Sequence, residues 1–206
     1  MDTVLLTGFQ PFLSYSSNPS EGIARSLDSK TISNRRIVGK VLPVAHDEVR
    51  NIIGEYVKKY KPVAIIALGI KAKIGCIALE RVALNRYYFR DEKGEVDEPL
   101  YKNGQPAYFS TLPLKEIKES LQNDGIPAEF SFYPDTYVSN EAFYEIMRLA
   151  AEFKIRSAGF IHLPLSHKQV ISLKMHYALK SEIPSMDEKI MEKAVRTTIE
   201  TTLLNL

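Results

Sequence analysis

Three side chains of this sequence could together form a hydrolytic triad: a serine, a histidine and a glutamate. Ser139 directly precedes an apolar helical pattern over Asn140–Phe153, so its hydroxyl would lie beside the free backbone N–H groups of a first helical turn. His162 lies near the end of an apolar run, and Glu80 lies inside another. A hydroxyl nucleophile, an imidazole base and a carboxylate that orients the base are the parts of acyl-transfer catalysis. The three residues therefore predict a nucleophilic hydrolase, provided that the fold brings them together.

Two of these residues also have a purely structural interpretation. A histidine in a buried strand, such as His162, is more often a hydrogen-bonded core residue than a catalytic base. Glu80 is costly to bury unless it is paired, and it could simply form an ion pair with Arg81 or Arg90. The other histidines fall in loops or at helix starts and are expected at the surface: His46, His167 and His176.

The composition is that of an ordinary globular chain, expected to form one domain over residues 1–206. It has 45% hydrophobic and 25% charged residues, enough for a substantial core. A net charge of +2 is too small to indicate a nucleic-acid or membrane partner. Cys76 is the only cysteine, which excludes an intrachain disulfide and a structural zinc site built from cysteines. With no signal peptide and no apolar stretch of about 20 residues, we expect a cytoplasmic protein.

Strand and helix patterns alternate along the chain. They predict an α/β fold, a three-layer α/β/α sandwich around a mostly parallel, mixed sheet. The predicted strands are Thr3–Leu6, Ile37–Leu42, Val63–Leu68, Cys76–Leu84, Ala128–Phe132 and Ala158–Leu163. The predicted helices are one that begins at Pro19, then His46–Tyr60, Pro113–Leu121, Asn140–Phe153 and Met186–Leu204, the last with Ser185 and Glu188 at capping-box spacing. Residues 86–108 are polar and irregular, which favours a hairpin or an excursion.

The loop that follows the first predicted strand is rich in aromatic residues: Phe9, Phe12 and Tyr15. Loops at the carboxyl ends of strands line ligand sites in open α/β sheets, so these rings are candidate pocket walls. The same rings could instead pack on the adjacent helix, and the residues alone leave both interpretations open.

Several short blocks strengthen the catalytic interpretation because they occur together in a fixed order. They are TGFQPF at 7–12, NPS at 18–20, ERVALN at 80–85, YFSTLP at 108–113, GIPA at 125–128, TYVSN at 136–140, GFIHLP at 159–164 and IPSM at 183–186. In this order the chain resembles pyroglutamyl peptidase I, also called pyrrolidone-carboxylate peptidase, a family of cytoplasmic cysteine peptidases. The blocks extend over nearly the whole chain, so a chance match is implausible.

The resemblance implies a specific activity and a role for each site residue. Members remove N-terminal pyroglutamyl groups from peptides, commonly as homo-tetramers and with no metal or organic cofactor. By this resemblance Glu80 is the acid, His162 is the base, and Ser139 takes the position of the nucleophilic cysteine. A peptide or a small lactam would be the substrate. Phe9 and Phe12 match residues that form the walls of the ring pocket, Arg90 matches an arginine near the site, and Ile70 is a further substrate-binding candidate.

Three departures from the family pattern fall around the reacting atoms. Ser139 replaces the cysteine, Tyr133-Pro134-Asp135 replaces a serine-alanine-glycine run, and Lys73-Ile74 replaces a glycine-arginine pair. A hydroxyl is a far weaker acid than a thiol, Pro134 has no backbone donor, and Asp135 could bring a negative charge near a developing oxyanion. A single engineered Cys→Ser substitution would explain position 139 but neither of the other departures.

Three functions remain open on the sequence. The first is a pyroglutamyl-peptidase-like hydrolase weakened by its serine. The second is an inactive family member that binds a pyroglutamyl-like ligand or serves as a structural oligomeric protein. The third is a serine amidase or esterase of different specificity.

Overall fold

The computed structural model describes residues 2–12, 15–91 and 94–206, without the side chains of Arg90, Asp91 and Tyr177. The strands are β1 Thr3–Phe9, β2 Thr31–Ile32, β3 Arg35–Leu42, β4 Ala64–Ile70, β5 Ile77–Glu80, β6 Val82–Leu84, β7 Tyr87–Asp91, β8 Gly94–Glu98, β9 Ala107–Phe109, β10 Ala128–Ser131, β11 Ser157–Leu163, β12 Leu165–Ser166 and β13 Ser185–Met186. The helices are α1 Pro19–Leu27, α2 Glu48–Tyr60, α3 Leu114–Asn123, α4 Val138–Phe153, α5 His167–Ser172, α6 Tyr177–Lys180 and α7 Glu188–Leu204.

One central sheet has the strand order β10-β5-β11-β4-β1-β3-β2. Strands β3, β1, β4 and β11 run parallel to one another, whereas β5 and β10 run together in the opposite direction. Short β2 is an antiparallel edge strand. The predicted mixed, mostly parallel sheet is therefore confirmed, and the reversal between β5 and β11 lies where the candidate site residues occur.

Helices cover both faces of this sheet. Helices α1, α3 and α7 pack on one face, with Ile66 and Leu121 in the core between the layers. Helices α2 and α4 pack on the other face, around Ile65 and Phe143. Strand side chains alternate between the two cores because successive residues point to opposite faces. This arrangement confirms the three-layer prediction. Among the described helices, none is both long enough and apolar enough to cross a membrane.

Most strand boundaries differ from the prediction by one or two residues, and two differ by more. The strand predicted over Cys76–Leu84 is two strands, since β5 belongs to the central sheet and β6 pairs with β9 outside it. The break falls at Arg81, whose exposed side chain cannot continue a strand that is buried on both faces. The first strand continues past Leu6 to Phe9, because its parallel pairing with β3 continues to Leu42.

Helix α3 begins one residue later than predicted and α4 two residues earlier, at Val138, while two other helix starts differ for a clear local reason. Helix α2 begins at Glu48 rather than at His46, because Asp47 has a φ of 62° that is incompatible with a right-handed helix. Helix α7 begins after Asp187, whose carboxylate accepts a hydrogen bond from the backbone N–H of Lys189 at 2.8 Å. Ser185 is therefore not the cap of α7, and it pairs with β12 as part of β13.

Candidate active site

Glu80 and His162 project from neighbouring antiparallel strands onto the same face of the sheet. In the register of β5 and β11, Glu80 lies opposite Phe160 and Ala78 lies opposite His162. Residues two apart on a strand share a face, so Glu80 and His162 are diagonal neighbours. Phe160 belongs to the core beneath α2 and α4, which identifies the face.

The two side chains form a buried hydrogen bond. The Nδ1–H of His162 donates to Oε1 of Glu80 at 2.8 Å, and the side chains are only 1% and 0% exposed. This assignment leaves Nε2 as the ring nitrogen that can accept a proton. The alternative ion pair with Arg81 is not formed, because the Arg81 guanidinium stacks on the rings of Phe130 and Phe132. The pair therefore has the geometry of a base with its orienting carboxylate.

Small and aromatic residues shape the space around the imidazole. Gly69 of β4 lies opposite His162, and a Cβ at this position would come within 3.2 Å of the ring and 2.9 Å of Phe160. The glycine therefore leaves room for the imidazole. The ring of Phe160 packs on His162 with centroids 4.8 Å apart, and Phe9 packs behind Phe160 at 6.5 Å. Phe9 is 3% exposed and belongs to the core beneath α2 and α4, whereas the adjacent helix α1 packs in the other core.

Ser139 lies in the first turn of α4, which begins one residue before it. Tyr137 is the N-cap but contributes no side-chain hydrogen bond. Throughout the described ranges, the backbone N–H groups of the first three helical residues and the Ser139 hydroxyl have no hydrogen-bond partner. Unpaired N–H groups and the positive end of the helix dipole suit a negative charge that develops at this position. Val138 and Ala142 belong to the core that contains Phe160, so α4 begins over the face that carries the pair.

Asn140 fixes the start of this helix to the strand that follows Glu80. Its side chain is fully buried, and its Oδ1 accepts from the backbone N–H of Leu84 at 2.8 Å. Its Nδ2 donates to the carbonyls of Leu84 and Arg86 at 2.9 and 2.8 Å. The sequence matched Asn140 to a family motif without giving it a role. The available signal was a polar residue inside the apolar pattern of a first helical turn.

Glu141 is a second buried residue that holds the first turn of α4 in place. The carboxylate of Glu141 accepts from Nδ1 of His46 and Nε of Arg50, each at 2.8 Å, and from the backbone N–H of Asp47 at 3.1 Å. His46 also stacks on Tyr87 with ring centroids 3.7 Å apart, and burial raises the pKa of the Tyr87 phenol to about 12. His46, which was expected at the surface, is 27% exposed, and its imidazole also packs against a buried carboxylate.

The same cluster carries side-chain atoms of the kind that bind metal ions. Donor atoms of His46, Asp47 and Glu141 lie within 4.8 Å of one another. The guanidinium of Arg50 contacts both carboxylates, so their negative charge is already matched by a cation. We therefore interpret the cluster as a structural anchor for α4.

At two of the positions that differ from the family pattern, the backbone has a conformation that glycine adopts easily. Asp135 and Lys73, which stand where the resemblance leads one to expect glycine, have φ values of 65° and 66°. Asp135 is exposed and has no ion-pair partner in the parts of the chain that the structure describes, whereas Pro134 is buried.

The remaining candidate residues lie in different environments. Phe12 is half-buried, and its ring packs edge-on against Tyr15 at 5.9 Å. The side chain of Ile70 packs against the core on the opposite face of the sheet, so the structure does not bring it to the pair. The backbone of Arg90 lies in β7, but its side chain lies outside the described part of the chain.

Comparisons with known proteins agree with this arrangement. A family model described as pyroglutamyl peptidase matches residues 2–205. The pyrrolidone-carboxylate peptidase of Halalkalibacterium halodurans is 39% identical over 202 residues, which cover 96% of this chain and 97% of that protein. The pyrrolidone-carboxylate peptidase of Oceanobacillus iheyensis is 36% identical and covers 97% of this chain and 98% of its own.

Solved structures of pyrrolidone carboxyl peptidases are similar to this chain as well. A mutant pyrrolidone carboxyl peptidase from Pyrococcus furiosus superposes with a TM-score of 0.92 at 34% identity and covers 99% of both chains. The pyrrolidone carboxyl peptidase from Thermococcus litoralis superposes with a TM-score of 0.90 at 32% identity, covering 98% of this chain and 94% of that one.

Proposed function

Because the chain belongs to the pyroglutamyl peptidase family, we propose that it hydrolyses the amide bond that follows an N-terminal pyroglutamyl residue of a peptide. The observation that supports this most directly is the buried Glu80–His162 hydrogen bond of 2.8 Å. It supplies an oriented base on the face over which α4 begins, with Ser139 in its first turn. The reaction is then an acyl transfer through Ser139.

In the first half of the reaction, Oγ of Ser139 attacks the pyroglutamyl carbonyl carbon. Nε2 of His162 takes the hydroxyl proton as the C–O bond forms, and Glu80 stabilises the resulting imidazolium. The carbonyl oxygen becomes an oxyanion, which the free backbone N–H groups at the start of α4 can stabilise. The C–N bond then breaks, and His162 returns its proton to the leaving amine.

In the second half, water replaces the peptide that has left. His162 removes a proton from this water, whose oxygen attacks the ester carbonyl of the acyl-enzyme. The C–O bond to Ser139 breaks, the serine oxygen takes back a proton from His162, and pyroglutamate leaves. No step requires a group other than these residues and water.

The serine sets an expected limit on the rate. A thiol at a helix N-terminus can ionise before it attacks, whereas a hydroxyl must lose its proton during the attack. Oxygen is also smaller than sulfur, and a misplacement of about 1 Å can cost about 100-fold in rate. We therefore propose an activity below that of a cysteine at the same position.

The decisive experiment measures hydrolysis of a fluorogenic pyroglutamyl amide by the purified chain, with Ser139→Ala as the blank. Turnover that disappears in the alanine variant would support a working serine nucleophile. A rate equal to that of the blank would overturn the proposal. It would favour instead the inactive, ligand-binding alternative, for which the absence of a hydrogen bond between Ser139 and His162 in the described structure is the supporting observation.

We further propose that residues 1–206 act as one domain and assemble into a homo-tetramer in the cytoplasm. The support is the family resemblance together with the family match over residues 2–205. Light scattering coupled to size-exclusion chromatography would test the tetramer, and fractionation of the producing cells would test the location.

A further inference from the structure

Lys71 is the charged residue that lies next to the Glu80–His162 pair. It directly follows β4, and its backbone N–H donates to the carbonyl of Leu163 at 2.9 Å, which extends the β4–β11 ladder by one residue. Because side chains alternate along a strand, Lys71 shares a face with Gly69, the residue opposite His162. A loop lysine is thereby directed toward the candidate site.

The side chain of Lys71 links two parts of this site. Its Nζ lies 4.0 Å from Oε1 of Glu80, and it also donates a hydrogen bond to the backbone carbonyl of Tyr133. The lysine side chain is 22% exposed, whereas Glu80 is fully buried. Tyr133 belongs to the loop between β10 and α4, which leads directly to Ser139.

The ionised form of Glu80 is stabilised by a nearby cation. Its Oε2 is buried without a hydrogen-bond partner in the described structure, and only Oε1 contacts His162. Burial favours the neutral form of a carboxyl group, and a nearby positive charge favours the ionised form. A protonated Glu80 would no longer stabilise an imidazolium at His162.

In the described part of the chain, none of the other charged side chains of Lys, Arg, Asp or Glu around the site forms an ion pair with Glu80. Arg81 stacks on phenylalanine rings, and Glu141 is bound by His46 and Arg50. Asp135 is exposed in the loop that contains Tyr133. Within the described residues, Lys71 is therefore the cation that is paired with Glu80 apart from the imidazole itself.

We propose that Lys71 is a positioning residue of the site, which keeps Glu80 ionised and fixes the loop before Ser139 to the same carboxylate. The proposal rests on the hydrolase function proposed above and adds a fourth side chain to its three. An ionised Glu80 stabilises the imidazolium that forms when His162 accepts the proton of Ser139.

The test removes the charge of Lys71 and follows the Glu80 carboxyl group directly. NMR of the carboxyl carbon across pH needs no turnover, so it gives a result whether or not the chain hydrolyses a pyroglutamyl amide. In Lys71→Met the loss of the cation favours the neutral carboxyl group, so the midpoint of Glu80 protonation should move to higher pH. The acid limb of the pH–activity profile, measured with the fluorogenic substrate, should move in the same direction, because a protonated Glu80 no longer stabilises the imidazolium.

Three further variants separate charge from structure. Lys71→Gln can still donate to the Tyr133 carbonyl and should show the same upward shift, whereas Lys71→Arg keeps the charge and should resemble the unsubstituted chain. Lys73→Met removes an exposed lysine two residues away and should shift nothing. Equal midpoints in all variants would overturn the proposal, as would a uniform loss of rate without any shift. An inactive parent chain whose Glu80 still responds to the loss of Lys71 would count against the hydrolase function alone.

Discussion

The carboxylate of Glu80 reaches the imidazole of His162 because β5 runs antiparallel to β11 in a sheet that is otherwise mostly parallel. The register aligns Glu80 with Phe160, which places the acid diagonally beside His162 on one face. Both residues therefore lie on rigid strands, and their 2.8 Å contact does not depend on a loop. A site built on strands holds its geometry more precisely than one built on loops.

Replacing Glu80 by glutamine tests whether this contact serves catalysis. Glutamine has nearly the same shape, but its neutral amide cannot stabilise an imidazolium and can select the wrong tautomer. We expect kcat for the fluorogenic pyroglutamyl amide to fall by about 10³-fold or more. The melting temperature should change much less than the activity, which circular dichroism would show.

Glu129→Gln is the matched control for this substitution. Glu129 lies on the neighbouring strand β10 and forms an exposed ion pair with Lys118 at 2.7 Å. An exposed pair contributes little, so this variant should keep its activity. If Glu80→Gln were as active as Glu129→Gln, the contact with His162 would have no catalytic role.

The strands that carry the pair could be predicted from the sequence because their signals are local. An apolar run that contains a single histidine or glutamate predicts a buried strand, and it also identifies the one polar side chain that the strand carries. The break at Arg81 could not be predicted with certainty, because β6 leaves the central sheet to pair with β9. Two adjacent charged residues, Glu80 and Arg81, interrupt the apolar pattern, but the apolar residues on both sides of them favour one continuous strand.

The residues that hold the first turn of α4, where Ser139 lies, could not be predicted from local sequence patterns. His46 and Glu141 are separated by 95 residues in sequence, and their contact depends on the positive φ of Asp47. Lys71 could not be distinguished from an ordinary loop lysine, because its role follows from the register of β4 and β11. Tertiary pairing, rather than residue type, selects these residues.

Introducing a cysteine at position 139 should raise the rate. The helix N-terminus stabilises a thiolate, so we expect kcat/KM of Ser139→Cys to exceed that of the parent chain by about tenfold or more. The new thiol should also react with iodoacetamide near neutral pH faster than Cys76, since burial and the nearby Glu129 raise the pKa of Cys76. Mass spectrometry of the alkylated peptides would compare the two thiols in one sample. Slower labelling at 139 than at 76 would argue against an activating position.

Removing the side chain of Asn140 should destabilise the chain and displace α4. In Asn140→Ala the backbone N–H of Leu84 and the carbonyls of Leu84 and Arg86 lose their partners. Unsatisfied buried groups cost about 1–3 kcal/mol each, so we expect a loss of about 3 kcal/mol in the free energy of unfolding measured with urea. Asn51→Ala, at an exposed position of α2, should change this free energy by less than about 0.5 kcal/mol. Similar losses in both variants would contradict the anchoring role of Asn140.

Tyr144 should make the stability of the fold depend on alkaline pH. Its ring is fully buried, its hydroxyl donates to the carbonyl of Gln105 at 2.7 Å, and burial raises the pKa of the phenol from 10 to about 12. The folded state therefore holds this proton more tightly than the unfolded state. The resulting stabilisation is complete below pH 10 and is lost as the pH rises toward 12. Tyr144→Phe should be less stable than the parent chain at pH 7, and the difference between their urea midpoints should shrink above pH 10. A difference that stays constant from pH 7 to pH 12 would show that this phenol does not ionise on unfolding.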